Sequence, residues 1–435
     1  MSQYYKTQFP AAEVFAFCTL HHETKPQNRE VAVTFANDVW RRYNSVHTAE
    51  ELRALAVGAG AGATLHLGPH YSEAASLARK ARLAKAEDKN GDLGMGMRAL
   101  GKQLPFDLDL TDLAFLKIDK SNQAANDRYV RLVFGQVHIL RAILHEVFGF
   151  EHFLPVYSGR RGAHLWVLDK RADELTDEAR KAVASMIAPP QSKRDDRLFN
   201  RRAIEEHASF LGDEVKVAVE EVLERVVFAK FVDGGIGLLD TKMRVNDFVE
   251  RLFSVPLQVD SKWKADADAA EAFFRSEVVS KNVYGVGAFG KMLEILESAL
   301  PTAPGTKLTP RQVAIRAIGE KLHDVVFSLV WPTLDVGPSA QMSHCVKLPF
   351  SEHGKTGRIS LPLDNLLPTP GAPVLPPVIT PVDLVQSGPK SNQFLRGVAL
   401  LKATVAAARR GTTPPLTCDT MEIEDLMGPN KRARV

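Results

Sequence analysis

The sequence predicts an α/β fold, with a mixed sheet or sheets flanked by helices and a mainly helical subdomain inserted into it. Three observations lead there. Short apolar runs at 106–110, 156–168 and 359–363 have strand character. A glycine-bounded turn at 158–162 joins two of these strands. From Thr176 to about residue 328 the pattern becomes helical, and strand character returns only afterwards. The expected organisation is an α/β domain over 1–174, a helical insertion over 175–328, the returning part of the α/β domain over 329–365, a proline-rich linker over 366–390, and a C-terminal helix with a disordered tail over 391–435.

Taken in order, residues 1–57 read as mostly helical, with Val33, Phe35, Val39 and Tyr43 on an apolar face. Gly-Ala repeats make 58–63 a flexible loop, and the Ala-, Lys- and Gly-rich stretch 73–101 reads as a surface excursion. In the run Phe106-Asp107-Leu108-Asp109-Leu110, side chains of a strand alternate faces. Asp107 and Asp109 then point one way and Phe106, Leu108 and Leu110 point to the core. The two Cα atoms lie roughly 6–7 Å apart at about 3.3 Å per residue, a spacing suited to a pair of cations. Oxygen-only ligands favour Mg²⁺ or Mn²⁺ over Zn²⁺. The competing reading is a strand edge with two solvated acids.

Val130, Val133, Phe134, Val137, Leu140, Ile143, Leu144 and Val147 recur at helical spacing and predict an amphipathic helix over about 125–147. It leads to Ser158-Gly159-Arg160-Arg161-Gly162, a turn between strands. There two adjacent guanidinium forks suit phosphate oxygens. Ser158 and His164 offer further donors. Thr176 caps a helix that ends before Pro189-Pro190. Further helices are expected at 201–211, 213–230, 266–280, 288–299 and 309–328. Asp335 follows in an apolar context, as a third candidate carboxylate or a plain turn aspartate. Then come Lys347, the turn-rich loop Ser351–Arg358 with His353, and a short strand at 359–363. Residues 368–381 are proline-rich and expected to be extended, before a helix at about 391–409.

Carboxylates that bind cations, together with cations that bind phosphate, are what metal-assisted phosphoryl or nucleotidyl transfer requires. In their order along the chain, these segments resemble the catalytic small subunit of archaeal and eukaryotic DNA primases. The resemblance takes in Tyr4-Tyr5, Arg29-Glu30-Val31, Trp40–Ser45, Phe106–Asp112, Phe148–Phe150, Val156–His164, and Leu334-Asp335 with His344–Pro362. It implies that Asp107, Asp109 and Asp335 form a metal-binding triad. It also implies that Ser158, Arg160, Arg161 and His164 form a nucleotide-binding turn, and that Lys347, His353 and Arg42 approach the triphosphate. By the same resemblance the activity is synthesis of short RNA primers from nucleoside triphosphates on a single-stranded DNA template. The implied partners are a large iron–sulfur subunit and the DNA polymerase alpha complex.

The chain departs from the family pattern at the zinc knuckle. Residues 113–147 hold no cysteine, and Cys18, Cys345 and Cys418 are far apart, so the family's zinc site is expected to be absent. Thr333 stands where the family often has arginine, and Gly354 where it has proline. A near-match to a phosphate-binding loop, Gly285 to Lys291, continues into Met292 rather than Ser or Thr and reads as a loop entering a helix. His66 and His70 flank a Gly-Pro pair and are not expected to form a metal pair.

With 435 residues, 45% hydrophobic, 25% charged and a net charge of +3, the composition is that of a globular protein, and nucleic-acid binding would need a local basic cleft. No apolar run has the length of a membrane span, and the first residues do not form a signal peptide. Lys431-Arg432-Ala433-Arg434 is a nuclear address or a solvated tail, and a nuclear location is expected. Two rival functions stay open at this point: a repair primase-polymerase, separable by its use of deoxyribonucleotides, and a non-catalytic scaffold, separable by its failure to bind nucleotide with metal.

Overall fold

The computed structural model describes residues 3–77, 97–119, 121–188, 195–202, 212–230, 233–368, 378–387 and 392–413. Most of the 73–101 excursion, most of the helix expected at 201–211, the heart of the proline-rich segment and the basic C-terminal cluster lie outside them.

Two short helices, α1 (Gln3–Thr7) and α2 (Ala11–Cys18), open the chain. The expected helical continuation is not there. Instead β1 (Arg29–Thr34) and β2 (Trp40–Asn44) form an antiparallel hairpin, before α3 (Ala49–Ala59). Asp38 turns this hairpin in the left-handed conformation, at φ 60°. β1 is buried along nearly its whole length, so it carries no period-two signal, and Val33, Phe35, Val39 and Tyr43 fall at helix-like intervals by coincidence. β3 (Thr64–Tyr71) and β4 (Ala99–Gly101) extend the first sheet in the order β2-β1-β3-β4, and β8 (Val346–Lys347) returns from far along the chain to pair with β3.

The second sheet has the order β5-β7-β6-β9, from β5 (Leu104–Asp109), β6 (Phe153–Tyr157), β7 (Gly162–Val167) and β9 (Leu361–Pro362). Each ladder of both sheets is antiparallel, where the sequence leads to expect a mixed sheet. Between β5 and β6 runs α4 (Gln123–Glu146), capped by the Asn122 side chain on the amide of Ala125. Phe106, Leu108, Leu165 and Val167 send one face of the second sheet into an apolar cluster with α4 and the later helices. Leu154, Val156, Trp166 and Leu168 send the other face into a cluster with the first sheet, α1, α2 and α3. Asp107 belongs to this second face, because it stands opposite His164 in the register. The candidate site therefore opens between the two sheets.

The helical stretch comprises α5 (Asp177–Ile187), α6 (Asp213–Val222), α7 (Lys242–Phe253), α8 (Lys264–Ser280), α9 (Ala288–Ser298) and α10 (Pro310–Val330). Thr176 caps α5 as expected, and Thr309 with Gln312 forms a reciprocal capping box on α10. The expected helix at 213–230 is α-helical to Val222 and continues as a π-helical turn to Val227. α7 was not expected. Thr241 caps it, and Val245, Phe248, Val249 and Leu252 make its buried stripe. Gly287, at φ 85°, enters α9, so the near-match at 285–291 is a helix entrance. After the proline-rich segment come α11 (Pro381–Ser387), inside the expected linker, and α12 (Asn392–Arg410). Among the described residues no helix is long and apolar enough to cross a membrane.

Candidate active site

Asp107 and Asp109 leave β5 on one face, with Phe106 and Leu108 fully buried on the other. Asp335 joins them from more than two hundred residues away: its amide donates to the Asp107 carbonyl at 3.0 Å, in a single antiparallel bridge. The three acids are thus adjacent in backbone. Their carboxylates are turned to separate local partners. Asp109 accepts from Arg161 Nε at 2.8 and 3.0 Å and from the amide and hydroxyl of Thr111, both at 2.8 Å. Asp335 accepts from the amide of Gly337 at 3.0 Å and is solvent-exposed. Among the described residues, no three His, Cys, Asp or Glu side chains stand ready to hold a metal ion. The carboxyl of Asp107 is nevertheless pushed up to about 7, first by burial and then by Asp109, with Asp335 and Asp112 adding to it and Lys347 opposing it. An acid destabilised by neighbouring acids is the electrostatic condition that a bound cation relieves, and the donor set is all oxygen, which suits Mg²⁺ or Mn²⁺.

The basic side of the site comes from three elements. In the β6–β7 turn, Ser158 closes the loop by accepting from the Gly162 amide at 3.2 Å, and its own amide donates to the Gly162 carbonyl at 2.9 Å. Gly159 takes φ 92°, and a Cβ there would lie 3.1 Å from the Arg358 carbonyl and from Cβ of His353, so the turn needs glycine. Arg161 points to Asp109, while the Arg160 carbonyl accepts from the Tyr157 hydroxyl at 3.0 Å. His164 lies across the ladder from Asp107, with Nε2 3.6 Å from Oδ1. Burial, then the charge of Lys347, lowers it to about 3, so its imidazole is neutral.

Lys347 comes from β8 of the other sheet, opposite His66. Its ammonium reaches across to donate to the Ser158 carbonyl at 2.9 Å. Burial lowers it to about 8, against the pull of Asp107 and Asp109. The loop after it folds onto the arginine turn: Thr356 donates its hydroxyl to the Gly159 carbonyl at 2.8 Å, and Arg358 forks onto Asp127 at 2.5 and 2.9 Å. His353 accepts from the Lys355 amide on Nδ1 at 3.2 Å. Burial, Lys347 and Arg160 lower it to about 3.

Arg42, on β2, is held by Glu30, whose two oxygens accept from Nε and Nη2 at 2.8 Å each, and Nη2 also donates to the Ser343 carbonyl at 2.8 Å. Asp107, Asp109, Asp335, Ser158, Arg160, Arg161, His164, Lys347 and His353 thus lie in this region, and Arg42 is linked to it through the 335–347 segment. Glu30 and Thr356 lie in segments that carry the resemblance but receive no role from it, and Asp127 lies outside those segments. Glu30 is fully buried beside Arg29, and such a carboxylate needs a cationic partner, which is a signal that burial reveals and spacing does not.

The site residues from β5 to β9 fall within one contiguous match. The family model described as DNA primase small subunit covers residues 106–365, well over half of the 435-residue chain. The chain belongs to the DNA primase small subunit family. It is similar to the DNA primase small subunit of Saccharomyces cerevisiae, 26% identical over 422 residues, covering 94% of this chain and 93% of that one. It is also similar to those of Schizosaccharomyces pombe, 28% identical over 404 residues and covering 90% and 78%, and Drosophila melanogaster, 23% identical over 389 residues and covering 87% and 79%. The match begins at Phe106, the buried residue immediately before Asp107.

Proposed function

We propose that this chain is the catalytic subunit of a DNA primase, a nucleotidyltransferase that makes short RNA primers on single-stranded DNA for replication. One observation carries the reading. The backbone bond between Asp335 and Asp107 brings a third acid beside the Asp107–Asp109 pair, against a rim of Arg160, Arg161, Lys347 and His353. In the reaction, a ribonucleotide 3′-oxygen bonds to the α-phosphorus of an incoming nucleoside triphosphate, pyrophosphate leaves, and the hydroxyl proton is released.

Asp107, Asp109 and Asp335 are the residues that would hold Mg²⁺ or Mn²⁺, which when bound supplies charge neutralisation at the attacking and leaving oxygens. To hold the ion, Asp109 would give up its pairing with Arg161, whose planar guanidinium fork would then be free for phosphate oxygens. Asp107 must be ionised, and an opposing cation favours that form. Lys347 and the Arg160–Arg161 turn bind and orient the triphosphate. Ser158 holds the turn's shape, and the neutral His164 and His353 offer uncharged donors. Arg42, pre-oriented by Glu30, completes the nucleotide's basic surroundings.

The wider setting follows from the same reading. The chain is expected to work in the nucleus, with a large iron–sulfur subunit and the DNA polymerase alpha complex, and without the zinc that the family resemblance implies. The test is de novo primer synthesis by the purified chain on single-stranded DNA, with ribonucleotides and Mg²⁺ or Mn²⁺. Short, template-dependent RNA products support the reading. Products formed only from deoxyribonucleotides, or no metal-dependent nucleotide binding at all, overturn it.

A further inference from the structure

The segment that carries Asp335 into place has little regular structure of its own. After Asp335 there is one short helix, Val336–Ala340, then a turn, then β8 with Lys347. Both of its ends are site residues, so its position relative to β5 sets the shape of the site. The single Asp335–Asp107 backbone bond is a weak fastening for that task.

Lys102 supplies a stronger one. It lies on the run into β5, five positions before Asp107, and its side chain is completely buried. Its backbone is fixed from both sides: the amide donates to the Asp173 carbonyl at 3.0 Å, and the carbonyl accepts from Arg180 Nη2. From that base Nζ donates to the carbonyls of Pro338 at 3.4 Å, Gln341 at 3.1 Å and His344 at 2.8 Å. An ammonium has three donors and no acceptor, so its hydrogen-bonding capacity is spent on this one segment. Among the described residues no carboxylate pairs with it. Burying an ammonium without a counter-ion costs several kcal/mol, and burial, aided by Arg180, lowers its proton affinity to about 7.

Other elements fasten the same segment at the positions between. The Asp177 carboxylate accepts from the Met342 amide at 2.7 Å, and Arg42 donates to the Ser343 carbonyl. We propose that Lys102 is a positioning residue that holds Asp335 in register with Asp107 and Asp109 for cation binding. The inference rests on the reading of Asp335 as a metal ligand. Lys102 touches neither substrate nor metal; it acts through the three carbonyls.

The experiment measures Mn²⁺ affinity of the full chain by the electron-spin-resonance signal of free Mn²⁺, well below the melting temperature, for wild type, Lys102→Met and Asp335→Asn. Residues that orient metal ligands typically change metal affinity by about 10–100-fold. A loss in that range is expected for Lys102→Met, in protein that keeps its circular dichroism. A purely structural lysine would lower the melting temperature and leave Mn²⁺ affinity unchanged, and that result overturns the inference. Should Lys102→Met fail to fold, Lys102→Gln, which keeps two donors, decides in its place: a smaller loss supports the inference and unchanged affinity overturns it. If Asp335→Asn weakens Mn²⁺ binding and the Lys102 variants do not, the inference alone fails. If Asp335→Asn also leaves Mn²⁺ binding unchanged, the metal role of Asp335 itself is wrong.

Discussion

Arg42 is held by Glu30 and is proposed to serve the nucleotide as well, and a double-mutant cycle separates the two roles. In the free protein it neutralises Glu30, whose carboxylate is fully buried and accepts four hydrogen bonds: two from Arg42, one from the Tyr43 amide at 3.0 Å and one from the Tyr71 hydroxyl at 3.1 Å. Gly68 makes room for it, since a Cβ there would lie 2.6 Å from Oε2. Arg42→Ala removes the cation and leaves a buried charge with two neutral donors. Breaking a buried pair from one side costs about 3–5 kcal/mol. The Arg42 side chain is one-quarter exposed, which places the expected loss at the lower end, about 3 kcal/mol. Glu30→Gln added to Arg42→Ala removes the stranded charge, and roughly 2 kcal/mol should return. Nucleotide affinity should not return, because the guanidinium is still missing. Urea denaturation gives the stabilities and primer extension gives the Michaelis constants for nucleotide. An Arg42→Ala protein within about 0.5 kcal/mol of wild type would refute the buried-pair reasoning. Recovery of the nucleotide Michaelis constant in the double variant would show that Arg42 acts only through the fold.

Three further outcomes are expected. Arg160→Lys and Arg161→Lys keep the charge but lose the planar fork, so the Michaelis constant for nucleotide should rise or the rate fall while affinity for single-stranded DNA holds. A salt titration showing lost DNA affinity with normal nucleotide kinetics would reassign the turn to the template. The Asp107 carboxyl sits near 7 in the metal-free fold, against about 4 in an unfolded chain, so the folded state holds the extra proton between those values and this group's contribution to stability falls as pH rises through that window. Asp107→Asn should therefore be inactive yet melt higher than wild type in chelator at alkaline pH; parallel melting curves across that range would contradict the shift. Elemental analysis should find no stoichiometric zinc, and chelators should stop catalysis without unfolding the chain, because 113–147 lacks thiols; one tightly held zinc per chain would refute this.

The parts of this fold that were legible in the sequence are those whose local pattern and tertiary role agree. Asp107 and Asp109 alternate with core residues on a strand with one buried face, so period two was visible. The hairpin around Gly159 and Gly162 was announced by its turn residues, and α4 by a long periodic stripe. β1 was illegible because a strand buried on both faces does not alternate, and four apolar residues at helical intervals mimic a helix across the hairpin that Asp38 turns. α7 carries its own local signals, a cap at Thr241 and a stripe from Val245 to Leu252, which makes it legible in the sequence by pattern alone. The site's residues were nearly all in view, but their pairings were not. Nothing local in Lys347 says that it crosses from one sheet to the Ser158 carbonyl of the other, nor in Lys102 that it spends three protons on the chain beyond Asp335. Those contacts are products of topology.

The central claim is that three carboxylates, not the basic rim alone, make this chain a polymerase. It is tested most directly by single-turnover addition of one ribonucleotide to an RNA primer annealed to single-stranded DNA, comparing wild type with Asp109→Asn in Mg²⁺ and in Mn²⁺. Asparagine can still accept from the Thr111 amide and hydroxyl, so the local turn should survive while the charge is lost. A lost metal ligand removes several kcal/mol of transition-state stabilisation, and each 1.36 kcal/mol is a factor of about ten in rate. The rate should therefore fall by about a hundredfold to a thousandfold or more, with primer–template affinity and melting temperature close to wild type. A variant that adds the nucleotide at near-normal rate in both metals would contradict the assignment of Asp107, Asp109 and Asp335 as the catalytic centre.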